Sequence, residues 1–223
     1  MDDMQYRPSD QHEVTSLFTD GVLEHVYPAF FKAMRHPDHV GMALSISMAG
    51  YVLGGSSYFQ AFLFGSAWAG LIYYCCHQIH QDYLAGRMRT DMADVVANYL
   101  EKPGNGFWVA EADVRGQARV VGMVGESDDD AGDGRFGELM HTVVKFPWRH
   151  KHLGSQLIQK AVDFCKERGY GRLVVDVSSP QTAAISLYQT LGFLQTSSHS
   201  DTHANWWFSK LARIIVMRME KLI

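Results

Sequence analysis

Charge is missing from residues 39–81: no Asp, Glu, Lys or Arg lies between Asp38 and Asp82. In a chain that is 20% charged, a gap of that length arises by chance on the order of once in ten thousand trials. Cysteine is scarce as well. Cys75, Cys76 and Cys165 are too few for a disulfide framework, which points to a reducing compartment. An excess of positive charge is also lacking, with 20 basic against 24 acidic residues and a formal net charge of −4. That balance excludes the basic footprint of a nucleic-acid-binding domain. The opening residues Met1-Asp2-Asp3-Met4 are acidic and adjoin no apolar run, so no cleavable signal peptide is expected. Internal repeats and low-complexity tracts are absent. What remains, 223 residues at 47% hydrophobic content, suits one domain with a sizeable core and an appendage.

The charge-free interval divides at Gly54-Gly55-Ser56-Ser57. Residues 40–53 form a shorter apolar run, and residues 59–76 form one of about the length that spans a bilayer. Its small residues would let two membrane helices approach closely, and Trp68, Tyr73 and Tyr74 suit a membrane–water interface. Lys32 and Arg35 precede the interval, while Arg87 and Arg89 follow it. Basic residues on both sides are expected of a hairpin whose two ends lie in the cytosol. The alternative is a buried helical pair in a soluble core. Cys75-Cys76 then reads either as two buried small hydrophobes or as a palmitoylation site.

Hydrophobic periodicity predicts the flanking elements. Residues 4–7 read as a short strand. Ser9 or Asp10 caps a helix through about Phe31, with Val14, Leu17, Phe18, Val22 and Val26 on one face. Thr90-Asp91 caps a second helix whose inward residues are Met92, Val95, Val96, Tyr99 and Leu100. Residues 107–112 and 120–125 form a hairpin around Arg115-Gly116-Gln117, and the polar link 127–134 leads to a third strand at 137–146. A helix over 154–168 carries the stripe Leu157, Ile158, Ala161, Val162 and Cys165. A buried strand at 172–177, a helix at 180–191 and closing strands at 194–196 and 214–219 complete the order.

Two motifs stand out. Arg149-His150-Lys151-His152-Leu153-Gly154 is a basic loop that opens a helix directly after a strand. The unpaired amides and positive dipole end of such a helix suit a pyrophosphate. The second, Ser186-Leu187-Tyr188-Gln189-Thr190-Leu191-Gly192-Phe193, is a helix ending in tyrosine, a glycine stop and an aromatic. The pairs His199/His203 and His77/His80 have ligand-like spacing but lack a third ligand, so no metal is expected. Asp128-Asp129-Asp130 reads as a solvated loop or as an attractor for a cationic acceptor.

In this order and spacing the motifs resemble the acyl-coenzyme A grip of the GNAT N-acetyltransferases. Phe107-Trp108-Val109-Ala110-Glu111, Val120-Val121-Gly122-Met123-Val124-Gly125 and Leu187-Tyr188-Gln189-Thr190-Leu191-Gly192-Phe193, with the apolar insert, resemble the camello-like N-acetyltransferase 8 branch. The resemblance implies an α/β GNAT acyltransferase fold: a mixed, mostly antiparallel sheet flanked by helices, with an apolar helical hairpin between the first two helices. Residues 1–38 would be the N-terminal strand and helix, 39–81 the membrane hairpin, and 82–223 the rest of the catalytic domain. Because the flanking segments belong to one sheet, both ends of the insert must lie on one side of the membrane, as two spans or a re-entrant pair.

The implied co-substrate is acetyl-CoA, with Arg149, His150, Lys151, His152, Leu153, Gly154 and Ser155 at its pyrophosphate. His152 stands where the family has the first glycine of its phosphate loop. Thr142, Val143 and Val144 would offer backbone groups to the pantetheine, and Gln181 stands where many members carry an asparagine. Tyr188 would protonate the leaving thiolate. The base is Glu138, His141 or Glu111, directly or through water. Glu138 and His141 point to opposite faces of a regular strand, unless a bulge turns one of them. The acceptor is a primary amine on a small amino acid such as a cysteine S-conjugate, or on a protein lysine. The location implied is the endoplasmic reticulum membrane, with the catalytic domain cytosolic. A membrane-anchored pseudoenzyme is the alternative that His152 raises.

Overall fold

The computed structural model of the chain describes residues 5–129, 136–202 and 204–223. Met4, most of the polar link at 130–134 (with Asp130) and His203 lie outside the described residues. Of the expected first strand, Gln5 forms an isolated bridge to Trp108. Helix α1 (Gln11–Leu23) buries Val14, Leu17, Phe18 and Val22. A second helix, α2 (Val26–Met34), follows after a break at Glu24-His25. One continuous helix to Phe31 was expected, and Pro28 accounts for the difference. Its missing N–H and its ring are incompatible with a helical carbonyl at Glu24.

The apolar interval forms two antiparallel-running helices joined at Gly54–Ser57, α3 (Pro37–Leu53) and α4 (Tyr58–Arg89). Gly55 and Ser56 adopt positive φ in the turn, and the Ser57 hydroxyl caps α4. At about 1.5 Å per residue, the 32 residues of α4 extend roughly 48 Å. Among the described residues it is the helix long and apolar enough to cross a membrane.

Helix α4 does not stop at the end of the apolar run. It continues to Arg89, with Thr90 as its C-cap, so Thr90-Asp91 ends a helix where it was expected to start one. Arg87 and Arg89 in the last turn complement the negative end of the helix dipole. The chain then turns into a short π-helix, Val96–Leu100, which buries Tyr99. Met92 and Val95 are buried as expected, whereas Leu100 is exposed.

Six strands form one sheet in the order β1-β2-β3-β4-β6-β5. Strands β1 (Gly106–Val114), β2 (Gln117–Asp129) and β3 (Phe136–Val144) are antiparallel neighbours. Helix α5 (Leu153–Glu167) makes the crossover to β4 (Arg172–Ser178), which runs parallel to β3. Helix α6 (Thr182–Thr190) leads to β5 (Leu194–His199). The last elements are α7 (Trp206–Ala212), a helix that the periodicity does not predict, and β6 (Val216–Leu222) between β4 and β5. This is the mixed, mostly antiparallel sheet that was expected, with the apolar helices inserted after the first helical segment.

Three apolar clusters hold the layers. One buries the stripe of α5 against the sheet with Tyr188 and Phe193. Another joins α1, Tyr99 and the facing side of β1 and β2. The third packs α2 and α7 around Ile72, Cys75, Cys76 and Ile79 of α4. All three cysteines are free and buried, so Cys75 and Cys76 serve as small hydrophobes in that cluster.

Candidate active site

Strands β3 and β4 pair only from Phe136 to Leu139, opposite Arg172 to Val175. Beyond Leu139 they part, and a cavity of about 680 Å³ opens between them. Its two walls come from different parts of the chain. On one side stand the start of α5 and α6. On the other stand β3 from Glu138 onward, α1, the residues after it and the final turns of α4, through Ile79, His80, Tyr83 and Arg87.

The α5 wall is built from backbone. His152 is the N-cap of α5, with φ of 60°, and His150 adopts the same left-handed conformation. A β-carbon is strained there, which is the physical reason a glycine would fit position 152 better. The turn leaves the first amides of α5, on Leu153, Gly154 and Ser155, outside the helical ladder and beside the cavity. At Gly154 a β-carbon would meet Leu187 at 3.0 Å, so the glycine lets α5 approach α6.

Arg149 is already engaged. Its Nε donates to the Val144 carbonyl at 2.8 Å, and its Nη2 donates to both carboxylate oxygens of Glu24 at 2.6 and 2.8 Å. Gln181 lines the cavity and accepts the Ser178 amide at 3.1 Å. Thr142, Val143, Val144, His150, His152 and Ser155 also line it. Lys151 does not: it lies over the Trp148 ring, 4.5 Å from its centroid.

The opposite wall is built from side chains. On β3, His141 and Thr142 together face the single residue Val124 of β2, which makes a bulge. His141 is its left-handed residue, with φ of 53°. The bulge breaks the regular alternation between Glu138 and His141, and both residues line the cavity, with the His141 side chain fully buried at its edge. Gly21 allows α1 to close over the bulge, since a β-carbon there would meet Val143 at 2.5 Å.

His141 is buried, with Phe18 edge-on to its ring at 4.8 Å. Its Nε2 lies 2.5 Å from Asp91 Oδ2. Tyr99 donates to the same oxygen at 2.8 Å, and Arg87 lies 3.6 Å away. Burial pushes the Asp91 carboxyl up, but hydrogen bonds from His141 and Tyr99 and the charge of Arg87 outweigh it and hold the group ionised. For His141 burial dominates and lowers the pKa, with Asp91 offsetting part of that shift. The resting imidazole is therefore neutral. An ionised carboxylate only accepts, so Nε2 carries the proton and Nδ1 is left as a buried lone pair without a hydrogen-bond partner.

Tyr188, near the end of α6, is buried at the cavity and makes an edge contact with Phe193. Burial pushes its phenol up to about 12, with a smaller opposing contribution from Thr142. Glu111 lies exposed on β1 and is not brought to the cavity. Among the described residues, no group of three metal-ligating side chains is found. His199 lines the cavity, while its expected partner His203 lies outside the described residues. Asp91 is the residue that sequence reasoning missed as chemistry. It stands 50 positions from His141, and its pairing with Thr90 had the look of an ordinary helix cap.

The model of the acetyltransferase (GNAT) family matches residues 72–193, more than half of the chain. Human N-acetyltransferase 8B is 29% identical over 194 residues, covering 86% of this chain and 83% of that protein. The camello protein of Xenopus laevis is 30% identical over 190 residues, covering 85% and 84%. A GNAT acetyltransferase structure from Streptococcus pneumoniae is 26% identical, with a TM-score of 0.47 over 59% of this chain and 74% of that one. The chain thus belongs to the GNAT acetyltransferase family, and within it to the N-acetyltransferases related to N-acetyltransferase 8 and camello.

Proposed function

We propose that this N-acetyltransferase moves the acetyl group of acetyl-CoA directly to a primary amine within a ternary complex. The observation that carries the reading is that His141, oriented by Asp91, and the high-pKa phenol of Tyr188 line one cavity with the open first turn of α5.

Acetyl-CoA would lie between β3 and β4. Its pyrophosphate would meet the amides of Leu153, Gly154 and Ser155, and its pantetheine would run along Thr142, Val143 and Val144. The acceptor would approach from the α1 and α4 side. Its nitrogen attacks the thioester carbonyl, a C–N bond forms and the C–S bond breaks. The ammonium proton goes to His141 Nδ1, and the departing thiolate takes the Tyr188 proton. The developing oxyanion is stabilised by backbone amides at the β3 bulge. Glu138, on the same cavity, is the alternative base.

The acceptor class is a small amino acid such as a cysteine S-conjugate, or a protein lysine. The enzyme would be anchored by a hairpin at residues 39–81, between an N-terminal segment 1–38 and the main catalytic region 82–223. Its place would be the endoplasmic reticulum membrane, with both hairpin ends cytosolic. The exposed apolar surface of α3 and of the first half of α4 supports the anchor.

The test uses full-length protein in detergent, with thiol release from acetyl-CoA measured across cysteine conjugates, free amino acids, polyamines and lysine peptides. Turnover with one class identifies the acceptor. Failure to bind acetyl-CoA and to turn over any amine overturns the reading. Membrane fractionation, with and without alkaline carbonate, tests the anchor separately.

A further inference from the structure

We propose that α7 and the outer face of α2 form an aromatic collar that sits in the headgroup region of a lipid bilayer, around the root of the α3–α4 hairpin. The inference rests on the reading that the hairpin is embedded in the membrane. It adds a second lipid contact from the C-terminal part of the chain, far from the apolar interval in sequence.

The argument begins with how α4 changes along its length. Up to Leu71 its side chains stand out from the protein: Tyr58, Phe59 and Phe62 are each more than 70% exposed. From Ile72 to Ile79 one face of the same helix is buried by α2 and α7, with Ile72, Cys75 and Cys76 at 0% exposure. Phe208 of α7 seats edge-on against Tyr74, and Phe30 of α2 packs on Tyr73. The hairpin thus meets the folded domain at this level.

The outer surfaces of the two covering helices are not those of a soluble protein. Tyr27 and Phe31 on α2 are 60% and 55% exposed, and Trp206 and Trp207 on α7 are 59% and 57% exposed. The two indoles stack at 4.2 Å, with the Lys210 ammonium 5.6 Å from the Trp206 ring. Exposed aromatic clusters of this kind mark an interaction surface. Tyrosine and tryptophan beside lysine are the composition of a bilayer interface, where the apolar ring is sheltered and the cation stays with the headgroups.

Continuity selects lipid as the occupant, because the collar adjoins the exposed apolar surface of the hairpin. The level is fixed by polar contacts. Arg213, just after α7, pairs with Asp38 and with His36 at the first turn of α3, so α7 ends where α3 begins. Ile79 and His80, which line the cavity, follow Tyr74 by five and six residues along α4. At about 1.5 Å of rise per residue that is less than 10 Å, so the cavity opens at the bilayer surface.

The test is tryptophan quenching by brominated lipids in vesicles of phosphatidylcholine with an anionic lipid, on full-length protein. One lipid carries bromine near the headgroup and one carries it deep in the chain. Wild type is compared with Trp206→Phe/Trp207→Phe, which keeps the apolar surface, and with Trp68→Phe, which reports on the hairpin. The shallow lipid is expected to quench wild type, and at least half of that quenching is expected to disappear in the double variant. Shallow quenching that persists unchanged in the double variant, in protein that resists carbonate extraction, overturns the collar and leaves the hairpin. Stronger loss of deep than of shallow quenching overturns the interfacial placement. Release of wild type by carbonate removes the embedded hairpin, and the collar with it.

Discussion

The two walls of the cavity are made in opposite ways. The α5 wall depends on a contiguous stretch, residues 149–155, whose backbone turns to present amides. The α4 wall depends on side chains brought together from Phe18, Arg87, Asp91, Tyr99 and His141, which only the folded chain makes neighbours. A backbone wall tolerates side-chain replacement, because its donors survive it. A side-chain wall does not, because each donor is also the partner that fixes the charge state of the next.

That contrast can be tested by substitutions in order of expected effect. The largest loss is expected from His141→Ala, which removes the proposed base: kcat/KM should fall by about three orders of magnitude in a thiol-release assay. Glu138→Gln should cost far less; the reverse ranking would move the base to Glu138.

Asp91→Asn keeps the shape but releases the tautomer, and kcat should fall by about a hundredfold. Its pH profile carries the sign. Asp91 raises the His141 pKa against the effect of burial, so its removal should shift the acidic limb of kcat/KM to lower pH. A merely structural aspartate would lower activity without moving that limb.

Tyr188→Phe should reduce kcat by about a hundredfold while leaving acetyl-CoA affinity nearly unchanged. With a pKa of about 12, the phenol stays protonated through neutral pH, so wild-type activity should show no alkaline limb below about pH 10 from this group.

On the backbone wall, His152→Gly should improve matters. Relieving the left-handed residue should add about 1 kcal/mol of stability, or roughly 2–4 °C in Tm, and tighten acetyl-CoA binding. Weaker binding after this change would mean that the imidazole itself holds a phosphate.

The smallest effect on turnover comes from a substitution that separates stability from chemistry. Glu126 is fully buried on β2 beside Cys165, and burial, reinforced by Asp128, pushes its carboxyl up to about 8. In the folded state it keeps its proton while the unfolded carboxyl, near 4.5, has lost it. The contribution of this group to stability is therefore fully present below about pH 4.5 and is lost as pH rises toward 8. Glu126→Gln should flatten that decline in denaturant titrations at several pH values, with turnover unchanged.

Much of this molecule is legible in local pattern. The stripe of α5, the hairpin turn at Arg115-Gly116 and the division of the apolar run at Gly54–Ser57 each follow from periodicity or turn chemistry within a few residues. The failures are equally physical. The helix expected to reach Phe31 breaks because Pro28 acts four residues upstream of itself. The short helix α7 has no clear stripe of its own; it is held by α2 and α4, to which it is linked only in the folded state. The bulge at His141 arises from a register shift against β2, a property of two strands that neither shows alone.

By itself the sequence determined the family, the run of strands with the helices α5 and α6, the apolar hairpin and the basic turn at the start of α5, because each is written in contiguous residues. Only the tertiary structure decided that Arg149 is held by Glu24, that Asp91 orients His141, and that α4 carries the apolar hairpin directly into the wall of the cavity. Those are contacts between distant segments. Their geometry is set by sheet register and helix packing, which no local pattern encodes.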